Sequence, residues 1–322
     1  MRSFEVEGLG TVSKIGLGTW QFGSREWGYG EQYANGEASA IVRRALDLGV
    51  TLFDTAEIYG FGKSERILGK ALGSERTSVT VATKVFPVAP APGLVRRAAR
   101  ASAKRLGMSR IPLYQVHWPN PVVPESVVMQ GPKQMLDQGL VNAVGVSNYS
   151  LRRWMTAERA LGRPVSSNQV HFSLAQLRPL WELVPWAEDN RRAIIAYSPL
   201  DQGLLGGRYD ENNRPSDLRA TNPLFLPENL RRAEPLLRTL REVGSSHGAT
   251  AAQTALAWLL HHPPVVAIPG ARTVEQLESN VAAADISLTE DEYEAITAAA
   301  RAFKPQTGPS AYGRMVRGRV GL

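Results

Sequence analysis

Apolar and β-branched residues recur along the chain in short, nearly unbroken stretches: KIGLGT, VTLFDTA, SVTVATKV, PLYQVHW, NAVGVSN, SNQVHF, AIIAYSP and VVAIPG. Strands this continuously apolar are covered on both faces, the condition of a parallel sheet. All intervals but the last have the length of one helix with two short loops, and their apolar residues repeat at helical spacing. In EASAIVRRALDLG the predicted buried stripe is Ala40, Ile41, Ala45 and Leu48, while SERILGKALG reads as a helix capped by Ser64 and stopped at Gly73. LRRWMTAERALG and TVEQLESNVAAA read likewise. Eight such strand–helix units predict a (β/α)8 TIM barrel.

Two additions frame the barrel. FEVEGLGTVSK predicts an N-terminal β-hairpin over the barrel floor, and LTEDEYEAITAAAR an extra C-terminal helix. The long interval between Tyr197 and Ile268 holds a Gly/Asn/Pro-rich loop at 201–227, a length that usually signals function, then the helices PENLRRAEPLLRTLREVG and ATAAQTALAWLLHH. With 322 residues the chain fits one α/β barrel, so a single domain over 1–322 is expected, ending in a tail at 303–322.

Composition narrows the chemistry. The chain has no cysteine, which excludes thiolate nucleophiles and thiolate metal sites. No histidine pair at ligand spacing lies on a strand, so no metal site is expected. A net charge of +7 is spread along helices, with a short cluster at Arg314, Arg317 and Arg319. Without a recognition motif this favours a phosphate-bearing small molecule over nucleic acid. No apolar run is long enough to cross a bilayer, and MRSFEVEGLG lacks a basic start followed by an apolar stretch, so a cytoplasmic location is expected.

Active sites of α/β barrels lie at the carboxyl ends of the strands. Those ends carry Asp54 with Tyr59 in the following turn, Lys84, His117, Ser147 and Asn148, Gln169, and Tyr197 with Ser198. Singly, each has an ordinary reading: a lysine can mark a strand end, and a histidine can be a satisfied core residue. Their shared rim is the argument for function.

DTAEIYG followed by GKSERILGKAL, with ATK, QVHWP and GVSN, resembles the aldo-keto reductase superfamily, from GLGTW at 16–20 to IPGARTVEQLESN at 268–280. The resemblance implies NADPH-dependent reduction of a small aldehyde or ketone, with Asp54, Tyr59, Lys84 and His117 as the catalytic set. Carbonyl reduction needs hydride at carbon and a proton at oxygen, and a tyrosine hydroxyl is a weak acid near neutrality. Lys84 is therefore expected to lower the Tyr59 pKa, Asp54 to keep Lys84 charged, and neutral His117 to orient the substrate oxygen.

No side chain supplies hydride, and no GxGxxG fingerprint follows a strand, so the cofactor is expected in the barrel mouth. By resemblance, Gly18, Thr19, Trp20 and Asp54 border it, Ser147, Asn148 and Gln169 hold the carboxamide, and Tyr197 stacks on the nicotinamide. SPLDQGLLGG resembles the pyrophosphate loop, giving Ser198, Pro199, Leu200, Gln202, Gly203 and Leu205. The segment with Ile268, Pro269, Gly270, Ala271, Arg272, Gln276, Ser279 and Asn280 resembles the adenosine-phosphate site, where Arg272 would face the 2′-phosphate. Ser279 departs from the acidic residue many relatives carry before that asparagine. Trp20, Phe86 and Trp118 beside Tyr59 and His117 are candidates for an apolar substrate wall, with Trp27 and Phe225 as further candidates. Two rival readings remain: a cofactor-sensing regulator, as in potassium-channel β subunits, and a Schiff-base aldolase using Lys84.

Overall fold

A computed structural model of the chain describes residues 1–24, 29–30, 35–86 and 90–308. A hairpin, β1 (Ser3–Val6) and β2 (Gly10–Ser13), precedes eight parallel strands: β3 (Leu17–Gly18), β4 (Leu52–Asp54), β5 (Thr80–Val85), β6 (Ile111–Val116), β7 (Val141–Ser147), β8 (Val165–His171), β9 (Ala193–Tyr197) and β10 (Val265–Ala267). Each pairs with the next in sequence order. Parallel bridges Ile15↔Ala267 and Gly18↔Gly270 join the last strand back to the first, closing the (β/α)8 barrel. At that seam a Cβ on Gly18 would stand 2.8 Å from the Ile268 carbonyl oxygen, so only glycine allows the strands to meet.

Leu52, Ala82, Leu113, Ala143, Ile195 and Val266 fill the barrel, and Val6 and Val12 of the hairpin plug it from below. The hairpin is tied to chain segments that precede strands: Ser13 N–H donates to Thr51 Oγ1 at 2.8 Å and Glu7 N–H to the Arg191 carbonyl at 2.9 Å. The predicted floor cover is present.

Around the sheet lie α1 (Asn35–Asp47), α2 (Lys63–Leu72), α3 (Pro92–Leu106), α4 (Glu125–Val128), α5 (Gln130–Asp137), α6 (Leu151–Leu161), α7 (Arg178–Asp189), α8 (Pro227–Ser246), α9 (Ala251–Leu260), α10 (Val274–Ala282) and α11 (Glu290–Ala302). The buried stripe of α1 is Ala38, Ile41, Val42 and Ala45, and Ala40 faces solvent, so the expected stripe is rotated by part of a turn. The expected cap at Ser64 is absent. Gly62 occupies the α2 N-cap without a side-chain bond, while the Ser64 hydroxyl contacts Thr19 Oγ1 at 2.7 Å and Thr55 Oγ1 at 2.9 Å. The long loop forms short 3-10 turns at Asp201–Gly206, Leu218–Thr221 and Pro223–Phe225.

On the floor, Lys14 is buried and its Nζ donates to the carbonyls of His262 at 2.6 Å and Pro263 at 2.8 Å. Burial, with a smaller push from Arg2, brings its pKa down to about 7. An unfolded lysine titrates at about 10.4, so between these values the unfolded chain binds more protons. Stability from this group is therefore present above pH ~10 and lost as pH falls toward ~7. The melting temperature of wild type, relative to Lys14→Met, should rise across that window. A constant difference would mean the amine keeps its ordinary pKa.

Candidate active site

The site assembles at the carboxyl ends of β4, β5 and β6. Lys84 on β5 is fully buried, and its Nζ donates to both Asp54 carboxylate oxygens, at 2.8 and 2.7 Å, and to the Thr55 carbonyl at 2.8 Å. Its fourth contact is the Tyr59 hydroxyl at 3.2 Å. Tyr59 opens a 3-10 turn, Tyr59–Gly62, that leads from β4 into α2. The Tyr59 and His117 rings meet edge to face with centroids 5.9 Å apart. All four members of the predicted set are thus brought together.

Burial works to discharge Lys84, but the Asp54 carboxylate and Tyr59 outweigh it and leave its pKa raised. The ammonium is secured. Burial also dominates at Tyr59 and pushes its hydroxyl up, aided by Asp54 and only partly opposed by Lys84. The expected net lowering of the Tyr59 pKa is therefore corrected: desolvation of the phenolate outweighs the neighbouring ammonium. His117 is held neutral, its pKa driven down to about 3 by burial and then by Lys84. Its Nδ1 is buried without a hydrogen-bond partner among the described residues.

From Asp54 the network continues around the rim. Gln169 Nε2 donates to Asp54 Oδ1 at 2.7 Å, the Ser147 hydroxyl to the Gln169 carbonyl at 2.9 Å, and Asn148 Nδ2 to Ser147 Oγ at 3.0 Å. The Tyr197 hydroxyl donates to Asn148 Oδ1 at 3.0 Å. Strand register puts Ser147 beside Gln169 and Gly18 beside Gly270, so the amide and hydroxyl residues run along one arc toward the barrel seam. Ser198, Gln202 and Gly203 have φ of 49°, 57° and 97°, which turns the chain tightly on either side of Pro199 and Leu200. Beyond the seam, Ile268 to Ala271 lead to Arg272, which directly precedes Thr273, the N-cap of α10. Gln276 folds back to accept from the Arg272 N–H at 2.9 Å, Asn280 Nδ2 donates to the Gly270 carbonyl at 3.4 Å, and Ser279 is half-buried.

Thr19 and Leu205 are fully buried. Thr19 Oγ1 is spent on the Asp54 carbonyl at 2.8 Å, and Leu205 joins the core. Phe225 is no wall residue, being 1% exposed against Tyr209. Trp27 lies outside the described residues. Trp20, Phe86 and Trp118 are 45%, 43% and 46% exposed, with ring centroids 6.5 Å from Tyr59 for the first and 6.4 and 6.3 Å from His117 for the others. The sequence reading passed over Phe61, 94% exposed on the turn that begins with Tyr59. Its signal was an aromatic residue between Gly60 and Gly62, where nothing local could bury it.

Residues 14–301 match the Aldo/keto reductase family. The chain belongs to the aldo/keto reductase family. It is 63% identical over 320 residues to an uncharacterized oxidoreductase of Mycobacterium tuberculosis, covering 99% of both chains. It is 36% identical over 282 residues to the aldo-keto reductase YhdN of Bacillus subtilis, covering 83% of this chain and 84% of that one. Among solved structures, an aldo-keto reductase from Klebsiella pneumoniae in complex with NADPH superposes with a TM-score of 0.76 at 27% identity, covering 95% of this chain and 96% of that one. These findings place the chain among oxidoreductases. Among the described residues, no helix is long and apolar enough to cross a membrane.

Proposed function

We propose that this aldo/keto reductase is an NADPH-dependent carbonyl reductase that converts aldehydes or ketones to alcohols at the barrel mouth, with Tyr59 as general acid. The observation that carries this reading is the contact chain from Asp54 through buried Lys84 to the Tyr59 hydroxyl, 3.2 Å from Nζ, beside a neutral His117. The donor set suits the cofactor: amides and hydroxyls at Ser147, Asn148 and Gln169 for a carboxamide, Tyr197 for the nicotinamide ring, and Arg272 with the α10 N-terminus for a phosphate. The NADPH complex of the Klebsiella relative agrees with that choice.

When bound, NADPH supplies hydride to the carbonyl carbon. Tyr59, protonated throughout the neutral range because its pKa is raised, gives its proton to the carbonyl oxygen. Lys84 Nζ already faces that hydroxyl and stabilises the phenolate as it forms, while Asp54 holds the ammonium in place. A neutral imidazole carries one N–H. With Nδ1 buried and unpartnered, a proton there would be a stranded donor, so Nε2 carries it and can donate to the substrate oxygen. Trp20, Phe86 and Trp118 favour an apolar, ring-bearing carbonyl over a sugar. A panel of aromatic aldehydes, ketones and sugars assayed with NADPH tests the reading. Turnover of aromatic aldehydes is expected, and no turnover of any carbonyl would refute it.

Arg272→Ala should weaken NADPH binding by roughly 1.5–3 kcal/mol, the range for a hydrogen bond to a charged group, and leave NADH binding little changed. NADH lacks the 2′-phosphate. Tryptophan-quenching titrations with both cofactors check this, and equal losses for the two would remove Arg272 from the site.

A further inference from the structure

We propose that His171 and Asp201 act as a pair of positioning residues, holding Tyr197 and the 198–203 turn in the shape that receives the nicotinamide cofactor. The proposal rests on the reductase reading above. His171 ends β8, and strand register sets it beside Tyr197 on β9. Its imidazole stacks on the Tyr197 ring with centroids 5.4 Å apart and an 18° interplanar angle. Its Nε2 lies 2.8 Å from Asp201 Oδ1. The Tyr197 hydroxyl is tied to Asn148, so the ring is fixed at its tip and covered on one face. Only the opposite face remains for a flat ligand ring.

Asp201 explains how the turn keeps an unfavourable backbone. Its φ is 46°, and Gln202 beside it and Ser198 three residues earlier are also left-handed although each carries a Cβ. Such positions persist only where other contacts over-determine them. The Asp201 side chain is 1% exposed, and the bond to His171 is its one side-chain hydrogen bond among the described residues, with Oδ2 left unpartnered. A carboxylate buried with half of its acceptors unmet is costly for a purely structural post, since a glycine would adopt the same φ without that cost. What the carboxylate adds over glycine is the tether from the turn to the His171–Tyr197 stack. Loop shape and ring orientation are thereby fixed before the cofactor arrives, which spares the ordering cost of binding.

The test compares NADPH dissociation constants, from tryptophan quenching, with turnover at saturating NADPH in wild type, Asp201→Gly and Asp201→Asn. Glycine accepts the left-handed backbone but removes the tether. Asp201→Gly should raise the NADPH Kd by about tenfold, and by more than it lowers turnover. Asparagine tolerates the same φ and keeps an oxygen to accept from His171, so Asp201→Asn should return the Kd to within about threefold of wild type. Wild-type affinity in Asp201→Gly, or an Asp201→Asn variant as weak as Asp201→Gly, would overturn the proposal. A wild-type protein that fails to bind NADPH would instead overturn the reductase reading beneath it.

Discussion

Tyr59→Phe is expected to lower kcat for carbonyl reduction by roughly 10²–10⁴, the usual worth of a positioned general acid, while NADPH affinity stays near that of wild type. The change removes the hydroxyl that contacts Lys84 and alters nothing in the amide arc from Ser147 to Gln169. Lys84 is not stranded, because Asp54 Oδ1, Asp54 Oδ2 and the Thr55 carbonyl still accept from its ammonium. The fold should therefore survive. Single-turnover rates with an aromatic aldehyde, beside a cofactor titration, check both halves. A variant keeping more than about a tenth of wild-type turnover, with chemistry limiting, would mean that another group supplies the proton.

Lys84→Met should slow reduction by at least about a hundredfold, since it deletes the cation nearest the forming phenolate. It should also destabilise the fold. The Asp54 carboxylate would remain buried with Gln169 Nε2 as its remaining side-chain donor among the described residues, and removing one partner of a buried ion pair typically costs about 3–5 kcal/mol. Asp54→Asn added to Lys84→Met should recover much of that stability without recovering rate, which separates the two roles. The pH profile gives the sign. On the proposed mechanism Tyr59 acts as an acid in its protonated form, so reduction should be lost as pH rises through its raised pKa. Lys84 is the main influence holding that pKa down against burial, so in Lys84→Met the alkaline fall should move to still higher pH. An unmoved alkaline limb would separate Lys84 from Tyr59.

The barrel was legible because its strands are buried on both faces and read as uninterrupted apolar runs, VTLFDTA and AIIAYSP among them. The grouping of Asp54, Lys84 and His117 on one rim was legible for a related reason: a charged or polar residue at the end of such a run has only the rim to occupy. Other features were hidden because they depend on which way a side chain turns. Ser64 has the residue type and position of a cap, yet its hydroxyl is drawn inward by Thr19 and Thr55. Tyr59 shows the limit of pairwise reasoning, for proximity to Lys84 predicts a lower pKa and burial reverses it. The His171–Asp201 pair joins residues 30 apart across a turn whose left-handed backbone no local pattern announces. Phe225 read as a loop aromatic and became core once the 3-10 turns of the long loop folded it under Tyr209.

The central claim is most directly tested by offering the wild-type protein an aromatic aldehyde and NADPH carrying deuterium at the transferable position, then analysing the alcohol by mass spectrometry. The account predicts one deuterium on the carbinol carbon for each NADPH consumed, and near-complete loss of that product in Tyr59→Phe. Bound but unconsumed NADPH would favour a cofactor-sensing regulator, and an aldehyde adduct trapped on Lys84 by borohydride would favour a Schiff-base enzyme. Either result would contradict the assignment of Tyr59, Lys84, Asp54 and His117 to carbonyl reduction.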